Sequence, residues 1–284
     1  MNGAVVFRAS VPGGLWLDGA DACRRDFALR PVSGADEMFL LDSENAALPG
    51  ERATALLDRC LVGADGVAAR LSIGDREALL LQLRRMTLGD HMDCTQICPE
   101  PDCAERMEFT LSTTQLLHAP YEHSRPEHDL KDVEDGHTYL ARFRAPTVDE
   151  VDRAARVARV DPERAGAELL RCCVSAITRD SVNVGLDTLP SPMLKRLDAA
   201  IAEIDPQAET ELALTCPACG VAFSATFECA AYFLSELAAR TRHLLHDVHT
   251  LASYYHWSES DILALTPGRR DRYIAKIAES LSGA

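Results

Sequence analysis

The sequence predicts an α+β protein, and three observations carry that expectation. The first fifty residues alternate short apolar pieces with Gly, Pro and Asp, which reads as strands and turns. Several later stretches carry apolar residues at three- and four-residue spacing, the mark of amphipathic helices. Two cysteine pairs, Cys98/Cys103 and Cys216/Cys219, each lie between segments that alternate like the arms of a hairpin.

Each element follows from local pattern. The apolar pieces Val5–Phe7, Leu15–Leu17, Phe27–Leu29 and Met38–Leu41 predict a β-rich or irregular start. Helices are expected over 51–62 and 76–86, the second with Asp75 as N-cap and Gly89 as its stop. Strands are expected over 92–97 and 106–111, and a helix begins near Thr113. Residues 119–137 hold prolines, histidines and carboxylates without apolar periodicity and predict an exposed connector. A strand follows over 139–143. Thr147 then caps a helix running to about Val160, and Asp161-Pro162 opens another that turns Leu169, Leu170, Cys173 and Ile177 inward. Ser191-Pro192 starts a helix that stops before Asp205-Pro206. After a second hairpin over 209–227, the stretch 230–255 predicts the longest helix, and two short helices finish the chain. The domain reading is therefore an N-terminal β-rich and helical region (1–91), a first hairpin (92–112), a connector and strand (113–146), a helical insertion (147–205), a second hairpin (206–229) and C-terminal helices (230–284).

Composition excludes some functions. With 29 Lys+Arg against 44 Asp+Glu, the formal charge is −15, a poor basis for binding nucleic acid, whose phosphates are held by cationic side chains. The start of the chain lacks a basic segment and a sustained apolar run, so no secretory leader is expected. No stretch approaches the ~20 apolar residues of a membrane span, which argues against membrane insertion. Ten cysteines in a protein of the reducing cytoplasm point to metal binding or core packing rather than disulfides.

The cysteine spacing favours metal. CPEPDC (98–103) and CPACG (216–220) each place two thiols on one tight turn, and two such knuckles facing each other supply the four-sulfur tetrahedral shell that zinc prefers. The expected ligands are Cys98, Cys103, Cys216 and Cys219, with structural Zn2+ as the cofactor and the intervening chain as an insertion in a split zinc ribbon. A redox role for CPAC is disfavoured because the pair precedes a strand rather than opening a helix. Cys94 and Cys229 are possible substitutes in the shell, whereas Cys23, Cys60, Cys172 and Cys173 are expected in the core.

His243, His246 and His249 recur every third residue, but steps of ~300° around a helix spread the rings too widely to converge on one ion, so a solvated face is expected. His118, His123 and His128 fall in the connector. Leu234, Leu237, Thr241, Leu244, Val248, Leu251 and Tyr255 form a heptad seam, equally readable as a partner surface or as a packed inner face. The chain has no Walker loop, no GxGxxG, no GxSxG elbow and no HExxH helix.

The run from Arg76-Glu77-Ala78-Leu79-Leu80-Leu81 through Arg84-Arg85-Met86-Thr87-Leu88-Gly89-Asp90 resembles a family found in gene clusters of phage-tail-like contractile injection systems. That family is similar to baseplate hub or assembly proteins of T-even contractile phages. Further matches are Leu29-Arg30-Pro31-Val32-Ser33-Gly34-Ala35-Asp36-Glu37, Leu189-Pro190, CPACG, His256-Trp257-Ser258-Glu259 and Ile262-Leu263-Ala264-Leu265. The wider first knuckle departs from the usual CxxC pattern. The resemblance implies a non-catalytic structural or assembly role in the bacterial cytoplasm, or within an assembled tail-like particle, with baseplate, hub or tail proteins as partners. The seam residues Leu237, Leu244, Val248 and Leu251 are then the expected docking surface. The competing readings are a cytoplasmic zinc-dependent enzyme and a zinc-ribbon adaptor.

Overall fold

The computed structural model describes residues 6–16, 22–43 and 47–282; Val5 and Leu17, both read as parts of apolar pieces, and the first residues of the chain lie outside this range. Strands β1 (Phe7–Leu15) and β2 (Arg24–Leu29) form an antiparallel ribbon. It is followed by helices α1 (Gly34–Asp42), α2 (Pro49–Cys60) and α3 (Ile73–Leu88). Met38–Leu41, expected among strands and turns, is helical. Asp36 in the first turn of α1 is the reason: its carboxylate accepts the Ser33 N–H at 2.9 Å and binds Arg30 and Arg59, which nucleates a helix where the apolar pattern alone gives none.

Helix α3 runs through the middle of the main core and is buried on nearly every side. Its N-cap is Ser72, whose hydroxyl accepts the Asp75 N–H at 3.2 Å, so Asp75 is not the cap that the sequence suggests. That carboxylate instead reaches β1, accepting the N–H groups of Gly13 at 2.8 Å and Gly14 at 2.7 Å. Gly89 closes the helix with φ of +100°, a left-handed conformation that side chains resist.

Two hairpins follow the expected pattern. Strands β3 (His91–Ile97) and β4 (Arg106–Ser112) pair without a break in register, and the one-turn helix α4 (Thr113–Leu116) follows them. Strands β9 (Thr210–Thr215) and β10 (Ala222–Phe227) pair in the same manner.

Between these hairpins the expectation needs correction. Seven residues of the connector expected over 119–137 form a strand, β5 (His128–Glu134), which pairs with β6 (His137–Phe143) through the two-residue turn Asp135-Gly136. Both turn residues have positive φ, +51° and +77°, as a tight hairpin turn requires. The segment 147–205 is not purely helical either. Helices α5 (Val148–Ala158), α6 (Pro162–Cys173) and α7 (Ser191–Glu203) are joined by strands β7 (Val174–Arg179) and β8 (Val182–Asn183), which complete a four-stranded antiparallel sheet in the order β5-β6-β7-β8. Ile177 thus points inward from a strand rather than from the helix of Leu169 and Leu170. Its helical spacing is coincidental, because residues 174–179 satisfy the free backbone edge of β6. Helix α7 covers the sheet, burying Met193 and Leu197 against Tyr139, Ala141, Phe143 and Ile177.

The single long helix expected over 230–255 is two, α8 (Cys229–Thr241) and α9 (Leu244–Tyr255), separated at Arg242-His243. The break divides the seam between two cores: Leu234 and Leu237 enter the main core, while Leu251 joins Ile262 and Ile277 in a separate C-terminal cluster. The cluster is closed by α10 (Glu259–Leu263) and α11 (Pro267–Ser282); the latter has 16 residues and is not short. Leu237, Leu244 and Leu251 are all 0% exposed, and Val248 is half-buried against the C-terminal cluster. The expected docking surface is therefore internal packing, since burying its leucines inside the chain leaves no apolar stripe for a partner.

The C-terminal cluster is fixed to the main body by a buried ion pair. Arg270 on α11 binds Glu37 on α1, with their side chains 2% and 0% exposed. The Leu265 carbonyl also accepts the Gly34 N–H at 3.0 Å. Burial pushes the Glu37 carboxyl up, and the Arg270 charge opposes it. Arg270→Leu would strand that carboxylate, so we expect a loss of about 3 kcal/mol at neutral pH in denaturant unfolding, several times the effect of a surface substitution.

Candidate metal centre

Both cysteine turns are held by their own backbones. In the first, the Cys98 N–H donates to the Glu105 carbonyl, and Cys103 and Ala104 donate to the Glu100 carbonyl. In the second, Cys216 donates to Val221 and Gly220 to Cys216, each at 2.9 Å. Ala104 with φ of +45° takes the conformational place of Gly220 with φ of +77°. The wider first knuckle thus places its two extra residues, Pro99 and Glu100, ahead of the turn and still returns its second thiol to the same side.

The two hairpins bring their turns together. Cys98 Sγ lies 3.7 Å from Cys219 Sγ, and Cys103 Sγ lies 3.7 Å from Cys216 Sγ. All four sulfurs fall within 4.8 Å of one another, and no other grouping of metal-ligating side chains occurs among the described residues. The spacing is too long for disulfides, whose sulfurs lie ~2.05 Å apart. It fits four sulfurs around one ion, because a tetrahedron with metal–sulfur bonds of ~2.3 Å has edges of about 3.8 Å. Met107, Leu214, Val221 and Phe223 pack around Cys98, Cys103 and Cys216.

The thiols are electrostatically unequal. Backbone N–H groups of Cys219 and Ala218 aim at the Cys216 sulfur and bring its thiol down to about 7, whereas burial pushes Cys98 up to about 12. Cys98 and Cys216 are buried, Cys103 is half-buried and Cys219 is exposed, and four soft donors so arranged can hold a metal ion.

The remaining cysteines stay apart from this cluster. Cys94 is buried on β3, and Cys229 is buried where α8 begins, its thiol 3.9 Å from the Glu77 carbonyl. Cys60 and Cys173 are buried as expected, and burial pushes both thiols up to about 12. Cys172 is exposed and Cys23 half-buried, so the core expectation fails for the former and holds in part for the latter. Adjacent positions on a helix diverge by ~100°, and only Cys173 of its pair can face inward. His243, His246 and His249 all face solvent. His118 and His123 are exposed, while His128 belongs to β5 and tilts against Phe143.

A second polar constellation has no counterpart in the sequence reading. A cleft of about 160 Å³ opens between β1, the start of α3 and the segment after α7. Asp75, Asp205 and Tyr121 line it. Asp205 accepts the Gly74 N–H at 2.8 Å and the Tyr121 hydroxyl at 3.0 Å, and that hydroxyl accepts the Gln207 N–H at 3.0 Å. Only glycine fits at position 74, because a Cβ would stand 2.1 Å from the Asp205 carboxylate. Every polar atom so named is engaged within the chain, which makes the constellation a joint between segments. Its one sequence signal, Asp205 before Pro206, reads equally well as a helix stop.

The chain is thus an α+β protein whose two distant hairpins meet at a four-cysteine cluster. Residues 23–234 match the T4 bacteriophage base plate protein family, and the chain belongs to that family. Neither a curated protein nor a solved structure matches it. Among the described residues no helix is long and apolar enough to cross a membrane.

Burial raises the Asp75 carboxyl to about 6 from its usual 3.8, against the Gly13 hydrogen bond. A raised carboxyl binds its proton in the folded state before it does so in the unfolded chain, so this group adds stability as pH falls from 7 to 5 and loses that contribution as pH rises through 6. Denaturant unfolding at the two pH values is expected to favour the wild type over Asp75→Asn by about 1 kcal/mol more at pH 5 than at pH 7.

Proposed function

We propose that the protein is a non-catalytic baseplate component or assembly factor of a contractile, phage-tail-like injection system, stabilised by one structural zinc ion and acting through protein contacts. The observation that carries this reading is membership of the base plate family across most of the chain, including both cysteine turns. On this reading the partners are baseplate, hub or tail proteins of the same particle, met in the bacterial cytoplasm where such particles are built.

Zinc suits the four-cysteine cluster because it takes tetrahedral sulfur shells without a redox change. Cys98, Cys103, Cys216 and Cys219 would hold it, and the bound ion would fasten the ends of the long segment between the hairpins. Four protein sulfurs close the shell. A catalytic zinc instead keeps one position for water or substrate, which weighs against the zinc-enzyme reading. The −15 charge weighs against a nucleic-acid adaptor in the same way.

Two measurements test the proposal separately. Elemental analysis of the purified protein should give one zinc per chain, and Cys216→Ser should lose the metal and the cooperative unfolding of the hairpin pair, since a structural zinc contributes folding free energy directly. A metal-free protein that folds with all four thiols reactive would refute the zinc assignment. Independently, affinity purification from cells carrying the neighbouring particle genes should recover tail or baseplate proteins, and normal particle assembly in a deletion strain would refute the role.

A further inference from the structure

The four-stranded sheet ends on one side at β5, whose outer edge pairs with no strand among the described residues. The turn at Asp135-Gly136 makes Glu134 and His137 the hydrogen-bonded pair that closes the hairpin. Counting back from it, Asp132, Leu130 and His128 direct their backbone groups to β6. Asp129, Lys131 and Val133 therefore turn their N–H and C=O groups outward. The Val133 N–H agrees, since its partner is the Asp132 carboxylate at 2.7 Å. The side chains of Asp129, Lys131 and Val133 are exposed, and Val133 is 60% exposed beside Leu140 at 39% on the same open face.

An edge strand of this kind is a template for another strand, and natural edges are often guarded by a charge such as Lys131. Here the guard has a complement two residues away. If a second copy of β5 is laid antiparallel along the edge, outward residues must face outward residues, so allowed registers differ in steps of two. Centring the pair on Leu130 sets Asp129 opposite Lys131 twice and His128 opposite Asp132 twice, with Leu130 meeting itself. Centring on Lys131 sets lysine against lysine, and centring on Asp129 or Asp132 sets aspartate against aspartate. Opposite charges across a strand pair stabilise it and like charges oppose it, so one register is selected.

We propose that β5 is a homodimerisation edge: two copies of this chain join their four-stranded sheets into one continuous eight-stranded sheet about a two-fold axis through Leu130. The two Asp129–Lys131 pairs would then exchange four backbone hydrogen bonds, and their side chains would fix the register.

Sedimentation equilibrium of the full chain tests this. The wild type should show a monomer–dimer equilibrium. Lys131→Asp and Asp129→Lys should each weaken association at least tenfold, because each converts both cross-axis pairs to like charges. The double swap should associate more tightly than either single variant, although less tightly than the wild type, since Asp129→Lys also removes the partner that Arg142 holds at 3.0 Å and sets a second cation beside it. Circular dichroism checks that the variants remain folded. Amide hydrogen exchange gives a readout without substitution: the Lys131 N–H should be protected at high protein concentration and exchange rapidly on dilution. A wild type that stays monomeric at every concentration, a dimer indifferent to both single substitutions, or a double swap no tighter than the singles would overturn the proposal.

Discussion

Burying a charged helix is the constraint on which the rest of this structure depends. Helix α3 lies inside the main core yet carries Asp75, Arg76, Glu77 and Arg84, all less than 10% exposed. Such groups are tolerated in an interior only when each finds a partner, and a helix cannot supply all of them from its own sequence. Arg76 binds Glu77, whose second oxygen accepts the Ala230 N–H at 3.0 Å and so anchors the first turn of α8. Arg84 makes a two-pronged contact with Glu236 further along α8 and a third with the Gly89 carbonyl. Asp75 holds β1, and the Gly74 N–H holds Asp205. One helix thereby dictates where three distant parts of the chain, β1, the Asp205 segment and α8, must lie.

The cysteine cluster and the helix act on the same topological difficulty. Residues 103 and 216 are 113 positions apart, and the segment between them folds as a sheet-and-helix unit with its own small core. Closing so long a loop costs entropy, which grows slowly with length but must still be met. Asp205 and Gln207 meet part of it by binding Gly74 and the stretch around Leu116 and Tyr121. On the proposed reading, an ion held by the four sulfurs would meet the remainder at the far end of the two hairpins. This division explains why both devices sit at the boundaries of the inserted unit and neither sits within it.

The C-terminal helices illustrate how a regular pattern misleads. A strict heptad predicts one straight helix with one face, yet the chain breaks after Thr241 and sends successive seam leucines into different cores. The buried pair Arg270–Glu37 and the Gly34–Leu265 contact position α11 against α1, and α9 must then leave the axis of α8 to reach it. An apolar stripe states that a face is covered. It does not state by what.

Several features were determined by the sequence alone. The α+β class, the helices around Glu51 and Arg76, both cysteine hairpins and the family resemblance are local in origin, since caps, turns and strand alternation are written in neighbouring residues. Tertiary structure decided the rest. Whether Cys98 and Cys103 would meet Cys216 and Cys219 depends on the whole segment between them, and no local pattern encodes that distance. Strand β5 was hidden because its alternation is mostly between charged residues: Asp129 and Lys131 face solvent, while Asp132 and Glu134 turn to Arg196. The Asp75–Asp205–Tyr121 joint was invisible for another reason: Asp205 lies 84 positions from Tyr121 and 131 from Gly74. Short-range order is set by what a residue's neighbours permit, whereas buried polar groups take their partners from wherever the fold brings them.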